Sequence, residues 1–352
     1  METVSKKDIR ALSLDDLRDF FVNNNVKAFR GNQVYQWLWQ KGIHDIEVMT
    51  NLSIKTRSLL KEHFVINNIA IDRQQKSKDG TLKNAVKLFD NLIVESVLIP
   101  TANRTTACVS SQVGCSLDCK FCATASIKRM RNLNIDEIYD QVVAMDKQSL
   151  YYFDRPLSNI VFMGMGEPLM NYKNLMGSIA KITQPNGLGM SPSRITISTS
   201  GIPKMIMKLA DENVKFGLAV SLHSARQEVR EQLMPFAEKF PLTDLVDSLK
   251  YWFNATSSLV TYEYVVWKDI NDKQEDIDAL VKFCMHVPCK VNLIEYNPIG
   301  DDTFKQADIT QVEKYQKALE RARITATIRR SRGKDIDAAC GQLANKTDGL
   351  SS

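Results

Sequence analysis

Cys115-Ser116-Leu117-Asp118-Cys119-Lys120-Phe121-Cys122 sets three thiols in one short loop, with Gly114 just before the first. A run this tight does not readily close disulfides on itself. Loop sulfurs at such spacing converge on a common point, as thiolates do around an iron–sulfur cluster. A cubane has four irons, so three thiolates leave one iron open, and an open coordination position is where metal sites do chemistry. The competing reading is a zinc knuckle or a partly buried thiol cluster. Zinc needs a fourth Cys or His a short step away, and none follows within twenty residues of Cys122.

The segments around this loop give the fold class. Thr106–Ser110 reads as a strand that runs into it. A helix should start at Asn134, with Glu137 three residues on as a capping box. Strands are expected at Asn159–Met163, Arg194–Ser198, Phe216–Leu222, Leu259–Val266, Lys290–Tyr296 and Ile324–Ile328. Helices should intervene at about 172–183, 203–212, 243–254, 273–285 and 310–323, the last capped by Thr310 and Glu313. Repeated strand–helix alternation argues for parallel strands with right-handed crossovers. Six such units are too few for a closed eight-stranded barrel, so the expected α/β fold is a partial, open (βα)6 barrel.

Upstream, residues 1–64 read as a small helical domain. Ser13 can cap a helix carrying Leu14, Leu17 and Phe21 on one face. A second helix over Gly31–Lys41 should end at Gly42. Lys27, Arg30 and Lys41, with Tyr35, Trp37 and Trp39, form either a solvated face or a nucleic-acid contact surface. Residues 65–100 carry three short β-branched runs punctuated by Lys78-Asp79-Gly80 and Asp90-Asn91, a β meander that links the domains. Glu95 lies in its last strand, facing either solvent or the site. The core should run from 101 to 345, with 346–352 as a tail.

Composition bounds the class. The 352 residues carry a net charge of +5, with a pI near 8.7, a mild basic excess that suits nucleic acid without requiring it. No stretch of eighteen apolar residues is present and the first ten residues lack an apolar signal core, so a reducing, cytoplasmic setting is expected. There seven cysteines read as metal-binding or catalytic before structural disulfides.

In parallel α/β folds ligands bind beyond the carboxyl ends of the strands. Four strands end here in polar or glycine groups: Gly164-Met165-Gly166-Glu167-Pro168, Ser198-Thr199-Ser200-Gly201, Ser221-Leu222-His223 and Asn297-Pro298. Four such ends argue for a shared polar pocket near the thiols, with Glu167 placed to accept from an ammonium. His223 alone reads equally as a core or capping histidine. Cys284 sits at helical spacing with Ile277, Leu280 and Val281 and reads as core, and Cys289 as structural. Cys108 lies in the strand leading to the thiol loop. Cys340, in Ala338-Ala339-Cys340-Gly341, follows the basic run Arg321, Arg323, Arg329, Arg330, Arg332 and Lys334. Small neighbours suggest a mobile, exposed loop, and nearby cations favour a reactive thiolate. The basic run is the candidate phosphate-contacting surface.

Together the thiol loop, Gly-Met-Gly-Glu-Pro, Ser-Leu-His and the stretch Asp337–Leu343 closely resemble the RlmN/Cfr family of radical SAM RNA methyltransferases over nearly the whole chain. Pro168 and Ser198-Thr199-Ser200-Gly201 resemble the RlmN branch, which methylates adenine at C2, more than the Cfr branch, which works at C8. The resemblance implies that Cys115, Cys119 and Cys122 hold a 4Fe–4S cluster. It implies S-adenosylmethionine (SAM), two per turnover, in a site lined by Gly166, Glu167, Ser198, Ser221, Leu222, His223 and Asn297. It further implies Cys340 as methyl carrier, Cys108 as resolving thiol and Glu95 as base. The substrates would be 23S rRNA in the peptidyl transferase centre and the tRNA adenosine 3′ of the anticodon. An electron donor such as flavodoxin and a monomeric state are expected with it. Two other readings compete: a radical SAM enzyme acting on a protein or small molecule, and a non-enzymatic metal-bearing RNA-binding module.

Overall fold

The computed structural model describes residues 6–345 except 213, 301 and 302; the expected tail at 346–352 lies outside the described residues. At the N-terminus, three helices form a small unit: α1 (Leu14–Asn23), α2 (Phe29–Trp39) and α3 (Ile54–His63). Ser13 caps α1, accepting from Asp16 N at 3.0 Å while Asp16 accepts from Ser13 N at 2.8 Å, so two otherwise orphaned donors are satisfied. Leu17, Phe21, Val34 and Leu38 are fully buried between the helices.

This unit docks on the core through buried charge and aromatic rings. The Arg10 guanidinium meets Asp140 at 2.7 Å and Asp136 at 3.2 Å, with His44 on Asp140 from the other side at 3.1 Å. The core lysine Lys181 stands 4.4 Å from the ring centre of Tyr35 and 4.8 Å from that of Trp39. Tyr35 and Trp39 are buried, so they belong to this joint and not to a nucleic-acid surface. Trp37 remains partly accessible and carries Lys41 over its ring.

One ten-stranded sheet holds the rest. Its first three strands, β1 (Ala70–Lys76), β2 (Leu82–Lys87) and β3 (Ile93–Pro100), form the expected antiparallel meander. Strand β4 (Thr105–Cys108) pairs antiparallel with β3 and parallel with β5 (Asn159–Phe162). The parallel series continues through β6 (Ile195–Thr199), β7 (Gly217–Ser221), β8 (Val260–Val265), β9 (Cys289–Ile294) and β10 (Thr325–Arg329). The meander is therefore continuous with the barrel sheet and covers the β4 side, while β10 forms the other edge. Seven parallel strands and six crossovers make an open, partial barrel.

The crossover helices are α4 (Ile135–Phe153), α5 (Tyr172–Thr183), α6 (Pro203–Asp211), the short α7 (Gln227–Leu233), α8 (Leu242–Thr256), α9 (Gln274–Cys284) and α10 (Ile309–Arg321). Ahead of α4, Glu137 accepts from Asn134 N at 2.9 Å and also pairs with Arg131 at 2.7 Å. The expected Thr310–Glu313 box is absent. The helix starts one residue earlier, at Ile309, so Thr310 falls inside its first turn and Asp308 precedes it without a side-chain cap. Cys284 is buried and Cys289 partly so, with Cys289 Sγ donating to Cys284 O at 3.4 Å, in keeping with structural roles. No helix among the described residues is long and apolar enough to cross a membrane.

Candidate active site

The strand ends open into one cavity, continuous with solvent. Cys115, Cys119 and Cys122 line it, together with Gly166, Glu167, Ser198, Ser221, His223, Asn297 and Cys340. A second, adjoining cavity is lined by Cys108, Cys122, Met163, Arg329 and Cys340. Cys122 and Cys340 thus stand on both walls. Leu222 and Glu95 stand on neither: the Leu222 side chain is fully buried in the core, and Glu95 faces the C-terminal segment.

The thiol loop is built by close backbone contacts. Gly114 adopts φ +72°, and a Cβ there would meet the carbonyl oxygens of Ile127 and Lys128 at 2.6 Å. That approach lets Cys115 bridge to Lys128. On the other side Lys120 N donates to Leu233 O at 3.0 Å, and Ala123 N to Gly341 O at 2.7 Å, so the loop is tied both to the end of α7 and to the Cys340 segment. Burial pushes the Cys115 thiol up to about 11 and Cys119 well above its ordinary value, with the neighbouring thiols adding to both. Such a set is held protonated until a cation pays for its charge. Among the described residues no three His, Cys, Asp or Glu side chains converge closely enough to hold one metal ion. A cubane gives each thiolate its own iron, and three thiols spread over one cavity wall suit that arrangement. The donor set fits a 4Fe–4S cluster.

Glu167 follows the tight Gly166 turn and is buried. Its carboxylate accepts from Thr199 Oγ1, Ser200 Oγ and Ser200 N, each at 2.8 Å, and from Leu169 N at 3.0 Å. Burial pushes its pKa up, against these bonds. The network fixes the ends of β5 and β6 to each other around a polar wall suited to an amino-acid headgroup. His223, at φ +57°, packs edge-on against Phe121 with ring centres 4.7 Å apart, and its Nδ1 accepts from Val265 N at 3.3 Å. Burial, with the Arg230 charge, pulls its pKa down to about 3, so it stays neutral and presents Nε2–H.

Two groups escaped the sequence reading. Arg230, fully enclosed, donates to Ser221 O at 3.0 Å, to Ser200 O at 2.6 Å and to Leu222 O. It draws the ends of β6 and β7 together and directs its charge at Cys119. Glu263 on β8 accepts from Asn292 at 2.8 Å and faces Arg329 of β10 at 3.6 Å, forming a charged floor beneath Cys340. Both lie at positions that alternation alone assigns to core or crossover; only their charge marks them.

The Cys340 loop departs from expectation. It is not loosely held: Asn297 Nδ2 donates to Cys340 O at 3.3 Å, Gln342 Nε2 to Pro298 O at 3.0 Å, and Thr124 Oγ1 to Leu343 O at 2.6 Å. Cys340 itself is exposed, as expected, and lines both cavities. Desolvation pushes the thiol up, outweighing the Arg329 charge that pulls it down. Cys108, buried in β4, rises to about 12, first by desolvation and then by its neighbour Cys340.

Comparison with known proteins agrees with this architecture. Residues 7–66 match the ribosomal RNA large subunit methyltransferase N-terminal domain, and residues 109–284 the radical SAM superfamily. The chain is 69% identical over 342 residues to a probable dual-specificity RNA methyltransferase RlmN of Christiangramia forsetii, covering 97% of each. It is 39% identical over 345 residues to the dual-specificity RNA methyltransferase RlmN of Geotalea uraniireducens, covering 98% of each. Among solved structures, a radical SAM methyltransferase from Sphaerobacter thermophilus superposes with a TM-score of 0.90 at 34% identity, over 96% of this chain and 99% of that one.

Proposed function

The chain belongs to the RlmN family of radical SAM RNA methyltransferases, and from that premise we propose that it makes 2-methyladenosine in 23S rRNA and in tRNA by way of a methyl group carried on Cys340. The observation that carries this reading is the pair of adjoining cavities. Cys340 stands on the wall of both, with Cys115 and Cys119 on one side and Cys108 on the other.

Adenine C2 is an electron-poor C–H with no lone pair, so direct displacement on the SAM methyl is closed to it. The Cys340 thiolate has that lone pair. Its sulfur takes the methyl as the sulfonium S–CH3 bond breaks, and S-adenosylhomocysteine leaves. A 4Fe–4S cluster held by Cys115, Cys119 and Cys122 would supply the electron that cleaves a second SAM. Cys340 would then present its methyl for loss of one hydrogen atom, and its S–CH2 carbon would bond to C2. Once the odd electron has passed to a one-electron acceptor such as the oxidised cluster, and the C2 proton to a base, Cys108 sulfur would attack Cys340 sulfur. An S–S bond forms, the S–C bond breaks, and the carbon takes a proton to become the product methyl. The disulfide must be reduced before the next round.

The other residues bind and orient. Gly166, Glu167, Ser198, Ser221, His223 and Asn297 would cradle SAM, with Leu222 fixing the backbone beside His223. Arg330 and Arg332, which line the second cavity, would meet RNA phosphates. We place the protein as a monomer that takes electrons from a small carrier such as flavodoxin. Mass spectrometry of the Cys340 peptide, from protein isolated with its cluster and SAM, tests the route. One added methyl on Cys340 is expected; an unmodified thiol in protein that methylates RNA would overturn it.

A further inference from the structure

Two buried charges stand outside both cavities. Lys83 of β2 and Glu95 of β3 expose 7% and 1% of their side chains and lie 3.4 Å apart. Their remaining bonds go to one segment. Lys83 Nζ donates to Asp337 O at 3.3 Å, three residues before Cys340. Glu95 Oε2 accepts from Ala344 N at 2.8 Å, four residues after it, and from Asn345 N at 3.3 Å. Asn345 Nδ2 adds a bond to Ile93 O at 2.6 Å.

The register of the same strands sets the other cysteine. Lys83 pairs with Val97, and Val97 pairs with Cys108. Glu95 lies two residues from Val97, so strand alternation puts it on the same face of the sheet as Lys83, Val97 and Cys108. Strand β3 therefore fixes Cys108 through its ladder and the Cys340 segment through Glu95. A buried ion pair is a poor source of net stability, because desolvation consumes most of its attraction. Its worth is directional: each charge accepts or donates along defined lines to main-chain groups.

We propose that Glu95 and Lys83 are positioning residues, a charged clasp that grips the Cys340 loop on both flanks and holds Cys340 over Cys108. The inference rests on the reading that these two cysteines act as a pair. The Glu95 carboxylate reaches two amides and an ammonium and lines neither of the two cavities, so its work is on the loop and not on the substrate.

The test uses RNA-free, cluster-loaded protein under anaerobic conditions, with Glu95→Ala, Glu95→Gln and Lys83→Met. The first readout is hydrogen exchange at the amides of Ala344 and Asn345. The second is the Cys108–Cys340 disulfide equilibrium against a glutathione buffer, in which one glutathione disulfide becomes two thiols for each intramolecular bond formed. Glu95→Ala should speed that exchange and weaken the disulfide by about tenfold or more, the scale of a lost charge-assisted bond. Glu95→Gln keeps one acceptor oxygen and should fall between, and Lys83→Met should loosen the loop chiefly around Asp337. Exchange and disulfide equilibrium identical to the unaltered protein, with RNA methylation abolished, would overturn the clasp and assign Glu95 to the substrate. Absence of any Cys108–Cys340 disulfide in the unaltered protein would instead remove the paired-thiol reading, while amide exchange still decides the clasp. Should Glu95→Ala fail to fold, Glu95→Gln carries the same comparison.

Discussion

Replacing Gly166 by alanine asks how much of the cavity depends on one close backbone approach. Gly166 adopts φ +92°, and a Cβ there would stand 2.4 Å from Gln112 Cβ, 2.7 Å from its Cγ and 2.8 Å from its Oε1. Gln112 is not free to yield. Its Oε1 accepts from Glu167 N at 2.8 Å and its Nε2 donates to Asn132 Oδ1 at 2.8 Å. The left-handed backbone costs about 1–3 kcal/mol for a residue with a side chain. Displacing Gln112 leaves the buried Glu167 N–H without its acceptor, about 1–3 kcal/mol more. The sum, roughly 2–6 kcal/mol, should lower the melting temperature by about 2 °C for each kcal/mol in a chain of this size. Gly189→Ala is the internal control: its φ is +69°, but nothing lies within 4 Å of the added Cβ, so only the backbone term applies. SAM affinity, measured by equilibrium dialysis on cluster-loaded protein, should fall about tenfold or more in Gly166→Ala, the effect of about 1.4 kcal/mol, and stay unchanged in Gly189→Ala. If Gly166→Ala melts and binds SAM like Gly189→Ala, the steric reasoning is wrong.

Cys108→Ala should keep methyl on Cys340 but leave RNA covalently attached, because release needs the second thiol; denaturing gels of labelled RNA report this, and free turnover at the normal rate would contradict it. Arg230→Met removes three bonds to strand-end carbonyls but also relieves a buried guanidinium that has no carboxylate among its charge partners. The two effects, each about 1–3 kcal/mol or more, should nearly cancel in the metal-free protein. The cluster, deprived of a positive neighbour beside Cys119, should be lost faster to a chelator, as iron content over time will show. At the N-terminal joint, burial pushes the Asp136 carboxyl up to about 7, more than Arg10 pulls it down. The folded state therefore holds a proton that the unfolded chain, with an ordinary carboxyl near about 4, releases. Stability should fall as pH rises through the window from about 4 to 7 and level off above it. Asp140 runs the other way. Burial raises it, but His44 and Arg10 more than reverse that, so its contribution is lost only in acid below the ordinary carboxylate range. Asp136→Asn should flatten the first slope in chemical denaturation between about pH 4 and 7, the span between the unfolded and folded carboxyl values.

The sheet was legible in the sequence because parallel strands buried on both faces read as short apolar runs, and their separation by helical periodicity admits few topologies. Asn159–Phe162, Ile195–Thr199 and Gly217–Ser221 fall within a residue or two of expectation. The cysteine loop was legible because its information is local: three thiols within eight residues need no tertiary contact to be noticed. Arg230 was not, since it lies on a seven-residue helix too short to show a period, and nothing local separates an arginine aimed at carbonyls from one in solvent. Tyr35 and Trp39 misled for a related reason. Aromatic residues interleaved with lysine and arginine look alike whether the partner is a phosphate backbone or another part of the same chain, and here Lys181 is that partner.

The Cys340 loop shows where local reasoning fails in sign as well as in detail. Small flanking residues and a cationic run predict mobility and a lowered thiol pKa. Both inferences treat the segment as if water surrounded it. In the fold, Ala338 and Ala339 are small because they pack. Gly333 N reaches Asp79 at 3.0 Å, and the hydroxyl of Ser77 meets Asp335 at 2.5 Å. Of the cations, Arg329 faces the cavity floor opposite Glu263, whose charge opposes it, and Lys334 is spent on Glu295 at 2.6 Å. What remains for Cys340 is desolvation, which favours the neutral thiol. As the proposed methyl carrier, Cys340 would become a nucleophile when a sulfonium is bound against it, because that positive charge would favour the thiolate more strongly than in bulk water, which would screen the effect. In that reading the raised pKa is compatible with methyl transfer to Cys340 and would tie the thiol's reactivity to the presence of the methyl donor.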